Sequence, residues 1–170
     1  MIAASFPSLP GSGKFSLSVV PEVLRSRTVL TIYTILVLFV TGAYTMYSFV
    51  EPYLAYAGLD ETMVTVTLGI YGIAAMAAGV MLSRSRRPRS FFLTLAMVGT
   101  PLTFLLIAGL SGFHWAVIFP VAAWGIFLTV FNVISQGDML VSVDEEHHSI
   151  AMSMYSALYN VGISMGAVMG

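Results

Sequence analysis

Carboxamide side chains occur at helical spacing inside a long apolar stretch of this sequence. Asn132 and Gln136 are four residues apart, which places them on one face of a helix. Such groups are costly in hydrocarbon and usually face the interior of a bundle or a water-filled cavity. We therefore predict that both side chains line a cavity. A hydrogen bond between neighbouring helices is the alternative.

Hydroxyl groups follow one face of a second apolar stretch, residues 29–50, and tyrosines flank them. The members of this stripe are Thr34, Thr41, Thr45 and Ser48, with Tyr44 and Tyr47 beside them. Two interpretations remain open. The hydroxyls bond carbonyls of their own helix one turn back, or the face lines a wet cavity. Asn160 lies on a similar polar stripe near the end of the chain, with Ser153, Ser156 and Ser164.

Other chemistry finds little support in the sequence. Residues 144–148 combine three acids with two histidines, but adjacent histidines point in different directions on a helix, so we predict no metal site. The chain has no cysteine, no nucleophile–base set and no phosphate-binding loop, so we predict no enzyme activity. Its net charge of -1 argues against a nucleic-acid partner.

The composition indicates an integral membrane protein. Of 170 residues, 58% are hydrophobic and 9% are charged, and the mean hydropathy is +0.90. Soluble domains carry about 25% charged residues. Five uncharged apolar segments are each long enough to cross a bilayer, which takes about 20 residues. We predict an all-α, polytopic membrane bundle, and the predicted spans are 29–50, 63–82, 91–110, 115–135 and 149–170.

The basic residues predict the orientation of the bundle. Four of the seven lie within residues 83–89, between the second and third predicted spans, and the others are Lys14, Arg25 and Arg27. Lys and Arg are enriched on the cytoplasmic side of membrane proteins. We therefore place residues 1–28, a predicted linker, and the basic loop in the cytoplasm, and Glu51 on the opposite side.

Small residues predict where helices approach closely. Gly72, Ala75 and Gly79 form a ridge on the second predicted span. Gly162 and Gly166 form another ridge on the fifth span. Such ridges let neighbouring backbones pack together in a membrane, where packing rather than hydrophobicity joins helices.

Several sequence runs resemble a known family. Residues 47–53, Tyr-Ser-Phe-Val-Glu-Pro-Tyr, are similar to the outer end of the seventh helix of bacterial sugar (arabinose-type) efflux transporters. Residues 6–10 resemble the end of their central cytoplasmic loop, Trp124-Gly125 with Gln136 their tenth helix, and residues 151–167 their eleventh. The chain thus resembles the C-terminal half of a major facilitator superfamily transporter of the drug–proton antiporter type.

The basic loop resembles a motif of that superfamily, Gly-x-x-x-Asp-Arg-x-Gly-Arg-Arg. Gly79, Arg84 and Arg87 match it, whereas Ser83 replaces the Asp and Arg86 replaces the second Gly. The resemblance implies that the matching residues brace a cytoplasmic gate.

The resemblance also implies a function, namely export of a small polar solute such as a sugar by alternating access between two six-helix halves. The implied cavity residues are Tyr44, Tyr47, Asn132, Gln136 and Asn160, with Glu51 at the outer mouth. A proton gradient would drive export without a cofactor. The five predicted spans hold no ionisable acid, so we expect the coupling acid in the other half.

The expected setting is the bacterial cytoplasmic membrane, with membrane lipid, a small-molecule substrate and a missing N-terminal half as partners. A half of such a transporter has six spans, whereas this sequence predicts five. The resemblance therefore implies that the chain is an incomplete half, that is, a fragment of a transporter. A self-standing scaffold or partner-binding subunit is the alternative from another class. Multidrug or nucleoside efflux is the alternative within the transporter class.

Overall fold

A computed structural model describes residues 20–110, 112–113 and 115–170 of the chain. Most of the predicted linker, including Lys14 and the run 6–10 that carries part of the family resemblance, lies outside the described residues. The last part of the linker, Val20–Arg25, forms a short helix.

The part of the chain that the structure describes is helical apart from short connections and contains no strand, which confirms the predicted all-α fold. Its helices, with a short 3₁₀ turn at Glu145–His147 before the last, are α1 Val20–Arg25, α2 Arg27–Tyr56, α3 Glu61–Arg84, α4 Arg89–Gly109, α5 Ile118–Val141 and α6 His148–Met169.

Side chains cap two of the long helices at their N-termini, where backbone N–H groups lack partners within the helix. The Ser26 Oγ accepts a hydrogen bond from the Val29 N–H of α2 at 3.5 Å. The Asp60 Oδ1 accepts one from the Met63 N–H of α3 at 2.7 Å. The sequence predicts the second cap, because an Asp directly precedes an apolar stretch.

Two helices, α2 and α5, each continue six residues past the C-terminal end of the predicted span. Helix α2 continues through Pro52 to Tyr56, because a proline removes only one backbone donor and the following turn still closes, with the Ala57 N–H bonded to the Tyr53 carbonyl. Helix α5 continues past residue 135 to Val141. Residues 136–141, which lie between the fourth and fifth predicted spans and are predicted to form a loop, are therefore helical instead, because buried Met139 keeps the apolar helical pattern going.

Four helices of the described residues, α2 to α5, are long and apolar enough to cross a membrane. Helix α6 has 22 residues, but its serines, its tyrosines and Asn160 lower its hydropathy, and it is not among the four. A membrane span at α6 therefore stays a prediction.

The long helices pack in two groups. Helix α6 lies along α2, and α3 and α4 both lie along α5. The Tyr33 hydroxyl of α2 donates a hydrogen bond to the Ala151 carbonyl of α6 at 2.9 Å. The rings of Phe39 and Phe131 stack across the groups, with centroids 3.7 Å apart.

Glycines permit the closest approaches between helices. A Cβ added at Gly166 would lie 2.6 Å from the Thr41 carbonyl oxygen of α2, and one at Gly162 would lie 2.9 Å from the Val40 side chain. Gly125 of α5 admits the Tyr71 carbonyl of α3 in the same way, at 2.6 Å. At Gly72 no heavy atom of the described residues lies within 4 Å of the added Cβ, so the close contact predicted there is not present in this part of the chain.

Candidate functional site

A cavity of about 320 Å³ lies between α5 and α6, and we call it the amide pocket. Its lining residues are Asn132, Gln136, Met152, Tyr155, Ser156, Tyr159 and Asn160. Three of the six predicted cavity residues, Asn132, Gln136 and Asn160, therefore meet at one place. The four-residue spacing of the first two, which α5 preserves through Gln136, brings them to the same wall.

Asn132 carries an unused hydrogen-bond acceptor. Its Nδ2 donates to the Leu128 carbonyl of its own helix at 3.0 Å. Its Oδ1 is buried and has no hydrogen-bond partner among the described residues. A buried acceptor without a partner costs about 1–3 kcal/mol. The position therefore favours a ligand that can donate a hydrogen bond.

Two pairs of hydroxyl groups join neighbouring helices at the edge of the amide pocket. The hydroxyl oxygens of Tyr44 on α2 and Tyr159 on α6 are 3.4 Å apart. Those of Ser135 on α5 and Tyr155 on α6 are 2.5 Å apart. Tyr44 thus adjoins the amide pocket without lining it. The site prediction did not include Tyr155 and Tyr159, although their four-residue spacing on an apolar segment is the signal that could have added them.

The other two predicted cavity residues lie elsewhere. Tyr47 is about half exposed, at 47%, and its ring contacts those of Tyr71 and Trp124, with centroids 6.3 and 6.0 Å away. Glu51 is exposed, one helical turn further along α2. Neither lines the amide pocket. No sequence pattern groups Tyr71 with Tyr47, because the contact joins two different helices.

The hydroxyl stripe of α2 mainly bonds its own helix. Thr34, Thr45 and Ser48 donate to the carbonyls one turn back, at distances of 2.8, 2.8 and 3.0 Å. The first of the two interpretations therefore holds for three of the four residues. The fourth, Thr41, has a buried Oγ1 with no hydrogen-bond partner in the described ranges.

The basic end of the bundle holds an ion pair that the motif does not include. Arg89 Nη1 at the start of α4 lies 3.5 Å from Asp138 Oδ1 near the end of α5, and also donates to the Gly137 carbonyl at 3.4 Å. Arg87 instead lies over the Phe91 ring, 5.0 Å from its centroid. Arg84 and Arg87 form no ion pair within the described part of the chain. Asp138 could not be predicted as a partner, because the sequence placed it in a loop.

Gly79, the third motif residue, has no heavy atom of the described residues within 4 Å of an added Cβ. It lines a separate cleft of about 420 Å³ at the basic end, together with Arg87 and Arg89. The three motif residues therefore lie at one end of the bundle.

Long apolar helices joined by short turns, with polar groups gathered in a pocket between two of them, define a multi-pass membrane protein. The chain belongs to the Major Facilitator Superfamily, whose family profile matches residues 4–167. The resemblance that the sequence runs indicate is therefore confirmed.

Individual relatives point to the same group. The chain is 28% identical over 173 residues to a protein of Mannheimia succiniciproducens named "Probable sugar efflux transporter", covering 100% of this chain and 43% of the relative. It is 27% identical over 166 residues to a protein of the same name from Helicobacter pylori strain HPAG1, covering 96% of this chain and 42% of the relative. The chain thus spans less than half the length of these relatives.

Proposed function

We propose that this chain forms part of an efflux transporter that exports a small polar solute, most simply a sugar, by alternating access across the bacterial cytoplasmic membrane. The observation that carries the proposal is the amide pocket, in which Asn132, Gln136 and Asn160 line one cavity. Membership of the superfamily and the names of the two relatives support it. The solute crosses unchanged, so the protein acts as a carrier and not as an enzyme.

The chemistry of the pocket suits a polyhydroxylated ligand. A carboxamide offers two donors and an acceptor, and a sugar hydroxyl is both a donor and an acceptor. The unpartnered Oδ1 of Asn132 gives a sugar hydroxyl a ready acceptor. The side chains of this wall carry no formal charge, so they bind the solute without ion pairs. The same residues can therefore release the solute on the other side of the membrane at a small cost in free energy.

The basic end would act as the cytoplasmic gate. We propose that Gly79, Arg84 and Arg87 contribute to it as the motif implies, and that the Arg89–Asp138 pair holds α4 to α5 when it is closed. Exposed ion pairs contribute about 0–1 kcal/mol, so this contact can break and re-form during transport. A proton gradient would drive the cycle, with the coupling acid outside the five uncharged segments.

Binding of radiolabelled monosaccharides to the purified chain in lipid nanodiscs tests the proposal. Asn132→Ala and Gln136→Ala should each weaken binding about tenfold, which corresponds to about 1.4 kcal/mol and to one lost hydrogen bond to the solute. Thr65→Ala is the matched control, because Thr65 is exposed on α3, away from the pocket, and within the described residues its hydroxyl bonds only the Glu61 carbonyl. Equal sugar binding by all three variants would refute the assignment of the pocket.

A further inference from the structure

A continuous row of aromatic rings leads away from the amide pocket. Tyr155 and Tyr159 lie on α6, with ring centroids 6.4 Å apart. The Tyr159 ring meets that of Tyr44 edge-on at 6.0 Å, and Tyr44 is 5.5 Å from Tyr47. Each step lies within the 4.5–7 Å separation at which aromatic rings interact. The row therefore runs from α6 onto α2 without a gap.

The row ends on a cluster in which rings from three helices meet. Tyr47 of α2 contacts Tyr71 of α3 and Trp124 of α5, and the last two lie 5.2 Å apart. Along α2 the direction from Tyr44 to Tyr47 continues to Glu51, towards the end opposite the basic loop. The rings thus connect the amide pocket with the outer end of the bundle.

Two features distinguish this row from ordinary core packing. Tyr47 leaves about half of its surface open, whereas a ring that serves only the core is covered. Trp124 is fully buried, yet its Nε1 has no hydrogen-bond partner in residues 20–110, 112–113 and 115–170. A buried indole N–H usually has a partner. Tyr47 therefore offers an exposed aromatic face, and the Trp124 ring that it contacts carries a buried donor without an acceptor in the described residues.

We propose that these rings form an aromatic track that guides a pyranose between the amide pocket and the outer mouth, and that selects a sugar in its ring form. The inference rests on the proposed function. A pyranose has an apolar face of C–H groups that packs on an aromatic ring, while its hydroxyls reach the polar groups at the ring edges. An open-chain polyol has the same hydroxyls but no such rigid face, so it gains little from the track.

Tryptophan fluorescence reads out this selection directly. The chain has two tryptophans, and Trp115 is exposed, so Trp115→Phe leaves Trp124 as the only reporter within the track. This protein, in nanodiscs, is titrated with the methyl pyranosides of glucose, galactose and xylose and with their open-chain alditols. We expect a pyranoside to shift the Trp124 emission, and the matching alditol to bind about tenfold more weakly.

Variants at the exposed ring complete the test. Tyr47→Leu should weaken pyranoside binding about tenfold, whereas Tyr47→Phe should keep it, because the ring and not the hydroxyl makes the contact. Tyr56→Leu is the control, since Tyr56 is 88% exposed on the same helix and belongs to no ring pair of the row. If Tyr47→Leu fails to fold by circular dichroism, the pyranoside-to-alditol ratio of the parent protein decides.

The outcomes separate the two proposals. Equal affinity for a pyranoside and its alditol, or unchanged binding in a folded Tyr47→Leu, refutes the track. If Asn132→Ala still weakens binding about tenfold in that case, the amide pocket remains the site. Absence of binding by the folded parent protein to every compound refutes the assignment of the amide pocket as a sugar site, and the track with it.

Discussion

The contact between α2 and α6 at Gly166 gives the sharpest prediction about the fold. An alanine Cβ there would lie 2.6 Å from the Thr41 carbonyl oxygen and 2.8 Å from the Thr45 nitrogen. Ordinary van der Waals contact begins at 3.4 Å, and both neighbours are backbone atoms that cannot rotate away. Helix α6 must therefore shift from α2 by almost 1 Å, and overpacking of this kind costs about 1–3 kcal/mol.

A matched substitution isolates that cost. Gly72→Ala places its Cβ where no heavy atom of the described chain lies within 4 Å. Replacing Gly by Ala inside a helix is favourable by about 1 kcal/mol through helix propensity alone, and this gain is common to both variants. We therefore expect Gly166→Ala to be about 1–3 kcal/mol less stable than Gly72→Ala.

Unfolding of the purified chain in mixed micelles with increasing SDS, followed by far-ultraviolet circular dichroism, measures this difference. Gly42→Ala on α2 is a second control, because its Cβ position is equally open. If Gly166→Ala is as stable as the two controls, α6 does not pack against α2 as described, and the position of the amide pocket loses its support.

Two further predictions concern polar contacts. Asp138→Asn removes the exposed ion pair with Arg89 and should lower the free energy of unfolding by less than about 1 kcal/mol. In the same SDS titration at high salt, the variant and the parent protein should be equally stable. A loss of stability that salt does not change would contradict this prediction. Tyr155→Phe removes the buried hydrogen bond to Ser135 and should cost about 1 kcal/mol. Ser135→Ala should cost little more once Tyr155 is Phe, and additive losses in that double-mutant cycle would contradict the pairing.

The fold was largely predictable because a bilayer restricts what a chain can do. Uncharged stretches near 20 residues long specify helices, and the structure places α2 to α5 over four of the five predicted spans. The ends of the helices were less predictable. Whether α2 continues past Pro52, or α5 past Gln136, depends on packing at buried positions such as Met139, which local sequence signals do not report.

The site was predictable only where one helix carries it. Asn132 and Gln136 share a helical face by spacing alone, and the structure places them in one pocket. The contacts of Tyr47 with Tyr71 and of Arg89 with Asp138 join different helices. They depend on how helices dock, so no periodicity within one helix could reveal them.

If the amide pocket binds a polar solute inside a membrane bundle, as we propose, the pocket must open to water, whereas the exposed face of α4 should meet lipid. The chain has no cysteine, so a single introduced cysteine reports its own surroundings. A thiol reacts as its thiolate, which forms in water and not in hydrocarbon. The most direct measurement compares the reaction of a polar maleimide with Asn160→Cys and Leu102→Cys in nanodiscs, since both side chains are exposed in the isolated bundle. We predict rapid labelling of Asn160→Cys, slowed by bound sugar, and almost none of Leu102→Cys; equal rates at the two positions would contradict the account.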